Sequence, residues 1–183
     1  MKGRIQKEKH VEIEVQEKLD YLKSRVKDLS PDSSLKEVSD LFLEVVTQLT
    51  HSPHGYMAFV DPKNGDSVGI SFSHLTDSCQ IYEKIGEARF KVLNDGSYGG
   101  LLGYSLDTGQ SIYTNDPAHH PAAHGLPPLH EPVARFLSVP VLDGEEVLGQ
   151  IVLGNSAVDY DKSQVRIAEQ VAELYALVLK KLL

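Results

Sequence analysis

Apolar side chains near the N-terminus recur every three or four residues, which is the spacing of one face of a helix. They form a narrow stripe among Lys, Glu, Arg, Gln and Asp residues: Val15, Leu19, Leu22, Val26 and Leu29. A stripe with this heptad spacing is typical of a coiled coil or of contact with a single partner helix. The alternative is a surface helix that packs on its own domain.

Two further helices are expected, one before and one after the centre of the chain. Pro31 disfavours helix at Ser30, and Ser33 or Ser34 is suited to cap the next helix. That helix has a broad apolar face: Leu35, Val38, Leu41, Phe42, Val45, Val46 and Leu49. A last helix opens at Asp161 with a second narrow stripe: Ala168, Val171, Tyr175, Val178 and Leu182.

Between these helices the pattern becomes that of strands and turns. The turn residues Asn64-Gly65 and Asp143-Gly144 each separate two apolar runs. We predict one hairpin over 56–61 and 68–74, and another over 133–141 and 147–153. Shorter elements are expected as a helix within 76–88, a strand at 89–93, a helix at 98–106 and a strand at 111–114.

Hairpins on both sides of an irregular middle favour an α+β fold. We expect an antiparallel sheet with helices packed on one face, preceded by a long N-terminal helix. The expected boundaries are 1–31 for a signalling or coiled-coil helix and 32–183 for the globular domain.

Composition and charge narrow the range of functions. The chain has 183 residues and a formal net charge of −8, without the basic stripe that binding to a nucleic-acid backbone requires. No apolar run reaches the ~18 residues of a membrane span, and no apolar signal region follows the N-terminus. The single cysteine, Cys79, excludes an internal disulfide. We therefore expect a cytoplasmic protein with no nucleic-acid partner and no membrane segment.

Glycine-containing motifs in the second half of the chain resemble those of GAF domains. Gly100-Leu101-Leu102-Gly103 precedes a Thr108-Gly109 turn, and a strand then ends at Asn115-Asp116. The segment HPAAHGLPPLHEPVARFLSVPVLDGEEVLGQIVLGN is similar to the GAF subfamily of bacterial sensor histidine kinases and diguanylate cyclases. The matching positions are His120, Pro121, Gly125, Leu126, Pro127, His130, Pro132, Phe136, Leu137, Val139, Pro140, Gly144, Gly149, Leu153 and Asn155.

The resemblance implies a GAF-like, PAS-related fold and a role as a small-molecule-sensing module. Ligands of GAF domains include cyclic nucleotides, bilins, haem and small metabolites, so the family does not identify the ligand. Members of this subfamily are attached to output domains such as kinases or cyclases. An output domain and an unidentified small molecule are therefore the expected partners, and no cofactor can be named.

The segment HHPAAHGLPPLH, residues 119–130, contains four of the eight histidines. His120 and His124 have the spacing of a helical metal-binding pair, but Pro121 and Gly125 argue against a helix, and no cysteine is near in sequence. Acid–base catalysis would need a nucleophile or an oriented partner; Asp116 is close in sequence, but no nucleophile elbow or activated cysteine accompanies it. The resemblance places this loop over the pocket. We expect a lid whose histidines line the pocket or act as pH-sensitive latches, or else bond only loop backbone and water.

The candidate ligand-binding residues lie in the wall of a pocket expected between the sheet and residues 98–132. They are Tyr98, Tyr104, Asp116, His120, His124, His130, Arg135 and Asn155. No catalytic residue and no metal ligand is expected. GAF enzymes that reduce free methionine sulfoxide rely on several cysteines, so the lone Cys79 disfavours that activity.

Two functions from different classes follow. The first is a sensor that relays occupancy of its pocket through the terminal helices. The second is a dimerisation and signal-relay module with an empty or vestigial pocket. In both cases we expect a homodimer formed by the stripes of the first and last helices.

Overall fold

The computed structural model describes residues 2–73, 88–126 and 130–183. Its elements are α1 (Lys2–Lys27), α2 (Leu35–Thr50), β1 (His54–Val60), β2 (Ser67–Phe72), β3 (Ala88–Phe90), α3 (Gly100–Thr108), β4 (Ile112–Thr114), β5 (Phe136–Asp143), β6 (Glu146–Gly154) and α4 (Lys162–Leu182). A 3-10 turn, Pro117–His119, lies between β4 and β5. The short helix expected within 76–88 lies outside the described residues except for its last position. Cys79 also lies outside them.

The strands form one six-stranded sheet in the order β3-β2-β1-β6-β5-β4. Every neighbouring pair is antiparallel, and Ile151 at the centre faces Met57 of β1 and Val139 of β5. Both predicted hairpins are confirmed. At the β5–β6 turn, Gly144 adopts a φ of 62°, which glycine tolerates better than other residues. The α+β prediction is therefore correct.

Helices α2 and α4 begin at the capping residues that the sequence predicts. Ser34 caps α2 by accepting a hydrogen bond from the Glu37 backbone N–H at 3.3 Å. Asp161 caps α4, and the Gln164 side chain accepts from the Asp161 backbone N–H, which completes a capping box. These caps fix the helix starts independently of tertiary contacts.

Helices α1, α2 and α4 cover one face of the sheet and form the main hydrophobic core with it. Side chains that alternate along β5 and β6 point toward these helices and are fully buried: Leu137, Val139, Val141, Ile151 and Leu153. The other face is covered by α3 and the segment that leads to β5. It carries a smaller apolar cluster around Tyr56, Phe136 and Val152.

The narrow stripe of α1 packs on the chain's own core. Leu22 is fully buried and Leu19 is 4% exposed, while Val15, Val26 and Leu29 pack against the same cluster. Helix α1 contacts both α2 and α4. Two helices of the same chain therefore cover this stripe, as expected for the alternative in which α1 packs on its own domain.

We predict that Leu22→Ala lowers the free energy of unfolding by ~2–5 kcal/mol, because it leaves a cavity in a packed core. Ile13→Ala is the matched control, since Ile13 lies on the same helix and is 56% exposed. That variant should change the free energy by no more than ~0.5 kcal/mol. Urea unfolding measures both. If Leu22→Ala dissociates a dimer without loss of stability, the intramolecular packing of α1 is refuted.

Candidate functional site

A row of buried polar side chains lies on the sheet face that α3 covers. Gln150 of β6 is 1% exposed, and Ser105 of α3 and Ser138 of β5 are fully buried. The Ser105 hydroxyl lies 2.9 Å from Gln150 Oε1, to which it donates, and 2.7 Å from the Ser138 hydroxyl. These contacts attach α3 to the two central strands through neutral groups.

Tyr56 of β1 extends this polar row toward β2. A Cβ atom added at Gly69 would lie 2.3 Å from Tyr56 Cε2, so the tyrosine ring crosses the strand where a glycine leaves space. The ring also packs against Phe72, with centroids 4.9 Å apart. Burial raises the pKa of Tyr56 to about 12, and nearby Ser67 and Gln150 offset part of that rise. The phenol therefore stays protonated at neutral pH.

Two buried hydroxyls at this position, on the neighbouring side chains of Tyr56 and Ser67, do not form a well-aligned hydrogen bond. Neither Tyr56 Oη nor Ser67 Oγ meets the geometry of a hydrogen bond to any group in the described part of the chain. An unsatisfied buried polar group costs ~1–3 kcal/mol. The arrangement therefore leaves hydrogen-bonding capacity at both hydroxyls, and the Ser67 side chain lines the adjacent cavity.

A cavity of about 50 Å³ lies between these strands and α3. Its walls are Ser67, Phe90, Tyr98, Gly99, Leu102, Gly103, Leu106 and Gln150. The cavity therefore lies between the sheet and the 98–106 part of the expected pocket wall. It has room for a few water molecules or a ligand of similar size.

The start of α3 forms one side of this cavity. Gly99 and Gly100 have φ angles of 67° and 66°, a conformation that favours glycine. The Asp107 carboxylate accepts hydrogen bonds from the backbone N–H groups of Tyr98 (2.7 Å) and Gly99 (3.0 Å). The Tyr98 hydroxyl donates to the Gly65 carbonyl in the β1–β2 turn at 2.6 Å. Burial, followed by the charges of Asp107 and Asp66, raises the pKa of Tyr98, so the hydroxyl keeps the proton that it donates.

Of the eight candidate residues, Tyr98 lines the cavity. Tyr104 is half-buried and meets the His120 ring edge-on, with centroids 6.4 Å apart. His120 Nδ1 accepts the Ala122 backbone N–H at 3.1 Å, which uses that nitrogen within the loop. His124 is exposed beside the start of α3, where its Nδ1 would lie 3.5 Å from a Cβ atom added at Gly100.

The other acidic and histidine candidates are exposed and pair locally. Asp116 accepts a hydrogen bond from His119 Nδ1 at 2.8 Å, and both side chains are more than half exposed. His130 is exposed, and its Nδ1 lies 2.7 Å from the Glu131 carbonyl oxygen. These two candidates are not among the residues that line the cavity.

Arg135 and Asn155 hold the segment before β5 in place. Arg135 Nε donates to Asp159 at 2.8 Å, and its Nη1 donates to the Ser156 carbonyl at 3.2 Å. Asn155 has a φ of 56°; its side chain donates to the Pro132 carbonyl and accepts the Ala134 N–H. These contacts give both residues a structural role in the described conformation.

Sequence analysis missed most of the residues around the cavity: Tyr56, Ser67, Ser105, Ser138 and Gln150. One usable signal was present, because Ser138 and Gln150 interrupt two otherwise apolar strands. A polar residue within a buried strand needs a partner or a ligand. Most of the predicted site residues came instead from the histidine-rich segment and its surroundings.

Residues 2–73, 88–126 and 130–183 contain neither a metal-binding cluster nor a membrane-spanning helix. No three His, Cys, Asp or Glu side chains there come together as a metal site would require. None of the helices in these ranges is long and apolar enough to cross a bilayer.

Titration of Tyr56 gives a testable pH dependence. Its pKa is about 12 in the folded protein, against ~10 for an unfolded chain, so the unfolded state ionises first. The corresponding stability is present below pH ~10 and is lost as the pH rises toward ~12. Two pKa units correspond to ~2.7 kcal/mol. Urea unfolding from pH 9 to 12 should show Tyr56→Phe losing ~2–3 kcal/mol less than wild type; equal losses would refute the burial of this phenol.

Comparison with known proteins places this architecture in a family. A family model described as a GAF domain matches residues 32–180. The methyl sulfide methyltransferase-associated sensor of Methanosarcina acetivorans is 35% identical over 136 residues. That match covers 73% of this chain and 13% of the sensor, so the chain spans only a small part of that relative.

Solved structures share the fold at low sequence identity. The GAF domain of a phosphoenolpyruvate-protein phosphotransferase from Coxiella burnetii superimposes with a TM-score of 0.72 at 18% identity, covering 92% of this chain and 94% of that one. A free methionine-R-sulfoxide reductase from Neisseria meningitidis gives 0.63 at 16% identity, covering 91% and 87%. The shared fold therefore occurs in both a phosphotransferase domain and a reductase. The family match over most of the chain, together with the six-stranded sheet and its helices, shows that this chain belongs to the GAF domain family.

Proposed function

We propose that this chain is a small-molecule-sensing domain of a signal-transduction protein, with the ligand bound beneath α3. The observation that carries the proposal is the pair of buried hydroxyls, Tyr56 Oη and Ser67 Oγ, which lack partners among the described residues. Apolar side chains at both positions would avoid that cost. A ligand that bonds both hydroxyls would recover the cost and so favour the occupied state.

We propose that α3 acts as the lid of this site. The closed cavity of about 50 Å³ is smaller than the ~300–1,000 Å³ of a typical ligand pocket. A larger ligand would therefore require α3 to move, and the two glycines before α3 would permit rotation there. Such a movement would break the hydrogen bond from Tyr98 to Gly65.

The candidate residues from the histidine-rich segment fit this proposal as the rim of the lid. His124 lies beside Gly100, and His120 contacts Tyr104 of α3. Asp116, His130, Arg135 and Asn155 would contact a ligand only if that rim rearranged. In the proposed arrangement, they hold the segment that leads to β5.

We propose that the sheet transmits occupancy of the pocket to the terminal helices. Both faces of β6 make contacts: Gln150 accepts a hydrogen bond from Ser105 of α3, and Ile151 packs in the core between the sheet and the other helices. Ser111 also donates to Glu169 of α4 at 2.6 Å. In this scheme residues 1–31 are the signalling helix, residues 32–183 are the sensor domain, and an output domain such as a kinase or cyclase receives the change. The setting would be cytoplasmic.

A regulatory role is also favoured over a catalytic one. The cavity wall contains no Cys, His, Asp or Glu among the described residues. Proton transfer and nucleophilic attack usually use these side chains. The relative from Methanosarcina acetivorans carries the name of a sensor, which agrees with this assignment.

The small volume of the closed cavity favours a second candidate, a relay module whose pocket stays empty. Under that alternative, the polar row would serve only to attach α3 to the sheet. The unpartnered hydroxyls argue against it, because Ser105, Ser138 and Gln150 already provide such an attachment.

Native mass spectrometry of protein purified from its own host tests the sensor. We expect a retained small molecule on wild type and its loss from the double variant Tyr56→Phe, Ser67→Ala. Ser73→Ala is the matched control, because Ser73 is exposed and bonds the Pro53 carbonyl. That variant should retain the molecule. Equal retention by the double variant would refute this site, and an empty wild type would favour the relay module.

We also predict a homodimer through the terminal helices, with contacts other than the buried stripe. The exposed apolar side chains available on α1 and α4 are Val11, Ile13, Tyr21 and Leu177. Ile13→Glu with Leu177→Glu should dissociate the dimer and leave the fold intact, because neither side chain belongs to the core. Sedimentation velocity measures the change, and Glu146→Lys, at the exposed first residue of β6, is the charge-change control. A wild type that is monomeric at tens of micromolar would contradict the prediction.

A further inference from the structure

We propose that the cavity beneath α3 binds an uncharged, polar molecule with few non-hydrogen atoms, such as a short amide or alcohol. This inference rests on the proposed sensing function and specifies the ligand class. Three features of the cavity support it: the neutrality of its polar groups, their hydrogen-bonding capacity, and the size of the space.

Among the described residues, the polar side chains in the cavity wall and in the polar row beside it are uncharged. Tyr56, Ser67, Ser105, Ser138 and Gln150 offer hydroxyl and amide groups, and all are buried. An ion that entered would lose its hydration without gaining an opposite charge. Burial of an unpaired ion is strongly unfavourable, whereas a neutral polar molecule needs only hydrogen bonds.

The nearest described carboxylates already have partners. Asp66 accepts hydrogen bonds from Arg89 at 3.3 Å and from the Val92 N–H at 3.2 Å. Asp107 accepts the two backbone N–H groups that precede α3. Neither carboxylate lines the cavity. Their negative charge would repel an anion, and their existing bonds leave them poorly placed to hold a cation.

The hydrogen-bonding capacity calls for a ligand that both donates and accepts. A hydroxyl can donate one hydrogen bond and accept others, and the hydroxyls of Tyr56 and Ser67 are both unpaired among the described residues. Gln150 Oε1 already accepts from Ser105 at 2.9 Å and from Ser138 at 3.5 Å, so the remaining capacity lies in the unpaired hydroxyls. An amide or an alcohol presents donor and acceptor atoms close enough together to meet such groups.

The size and the remaining walls restrict the ligand further. The cavity of about 50 Å³ exceeds the ~10–15 Å³ that one buried water requires on the same measure. Phe90, Leu102 and Leu106 form the apolar part of the wall. A molecule with one polar group and one or two carbon atoms would match both the polar and the apolar part of the wall.

Three probes of nearly equal shape and different charge test this class: acetamide, acetate and acetamidinium. We would titrate each into the ¹⁵N-labelled chain and follow the backbone amides of Gly99, Gly103 and Gln150 by NMR. Acetamide should produce saturable shifts at these three amides. The two ions should produce no saturable shift there at equal concentration and ionic strength.

Variants separate binding from a structural effect. Ser67→Ala should weaken acetamide binding about two- to tenfold, the effect of one hydrogen bond. The same variant should be as stable as wild type or more stable without the probe, because it removes an unsatisfied hydroxyl. Ser73→Ala should bind acetamide like wild type. Tyr56→Phe provides a second loss-of-binding variant should Ser67→Ala fail to fold.

Several outcomes would overturn the inference. Saturable binding of acetate or acetamidinium at these amides would refute the neutral class while leaving a sensor pocket in place. Absence of any acetamide effect, or unchanged affinity in Ser67→Ala, would show that the cavity holds water only. The sensing function would then depend on the retained molecule sought by native mass spectrometry, so the two failures are distinguishable.

Discussion

The central strand β6 must bury both of its faces, and the rest of the structure depends on that constraint. Ile151 and Leu153 enter the core beneath α1, α2 and α4. Gln150 and Val152 point to the opposite side, which α3 covers. A polar side chain on a strand buried on both sides needs hydrogen-bond partners, and Gln150 has them in Ser105 and Ser138.

Close backbone packing sets the dimensions of the cavity beside this strand. A Cβ atom added at Gly149 would lie 2.2 Å from the Ala58 carbonyl oxygen, so β1 and β6 leave no space for a side chain there. A Cβ atom added at Gly103 would lie 2.8 Å from the Tyr98 backbone, which draws α3 against the loop before it. The Ser105 contacts to Ser138 at 2.7 Å and to Gln150 at 2.9 Å hold α3 close to the sheet, so the cavity between them is small.

The buried tyrosines on the two faces of the sheet differ in their hydrogen bonding. On the helix side, the Tyr175 hydroxyl lies 2.6 Å from the Ser39 hydroxyl, and the Tyr160 hydroxyl lies 2.7 Å from the Ser52 hydroxyl. On the cavity side, Tyr56 has no such partner among the described residues. At two positions of this chain, a serine hydroxyl therefore bonds a buried phenol. Tyr56 and Ser67 do not form such a bond, and the proposed ligand would supply it there.

The sequence by itself determined the elements, both hairpins and the family resemblance, because caps, turn glycines and apolar periods act over a few residues. Only the tertiary structure decided what covers the α1 stripe, since Leu19 and Leu22 would suit a partner helix or the chain's own α2 and α4 equally well. It also decided the composition of the cavity. Ser67, Phe90, Leu106 and Gln150 of its wall come from separate elements, and their proximity depends on strand order and on the position of α3. No local pattern encodes either of those.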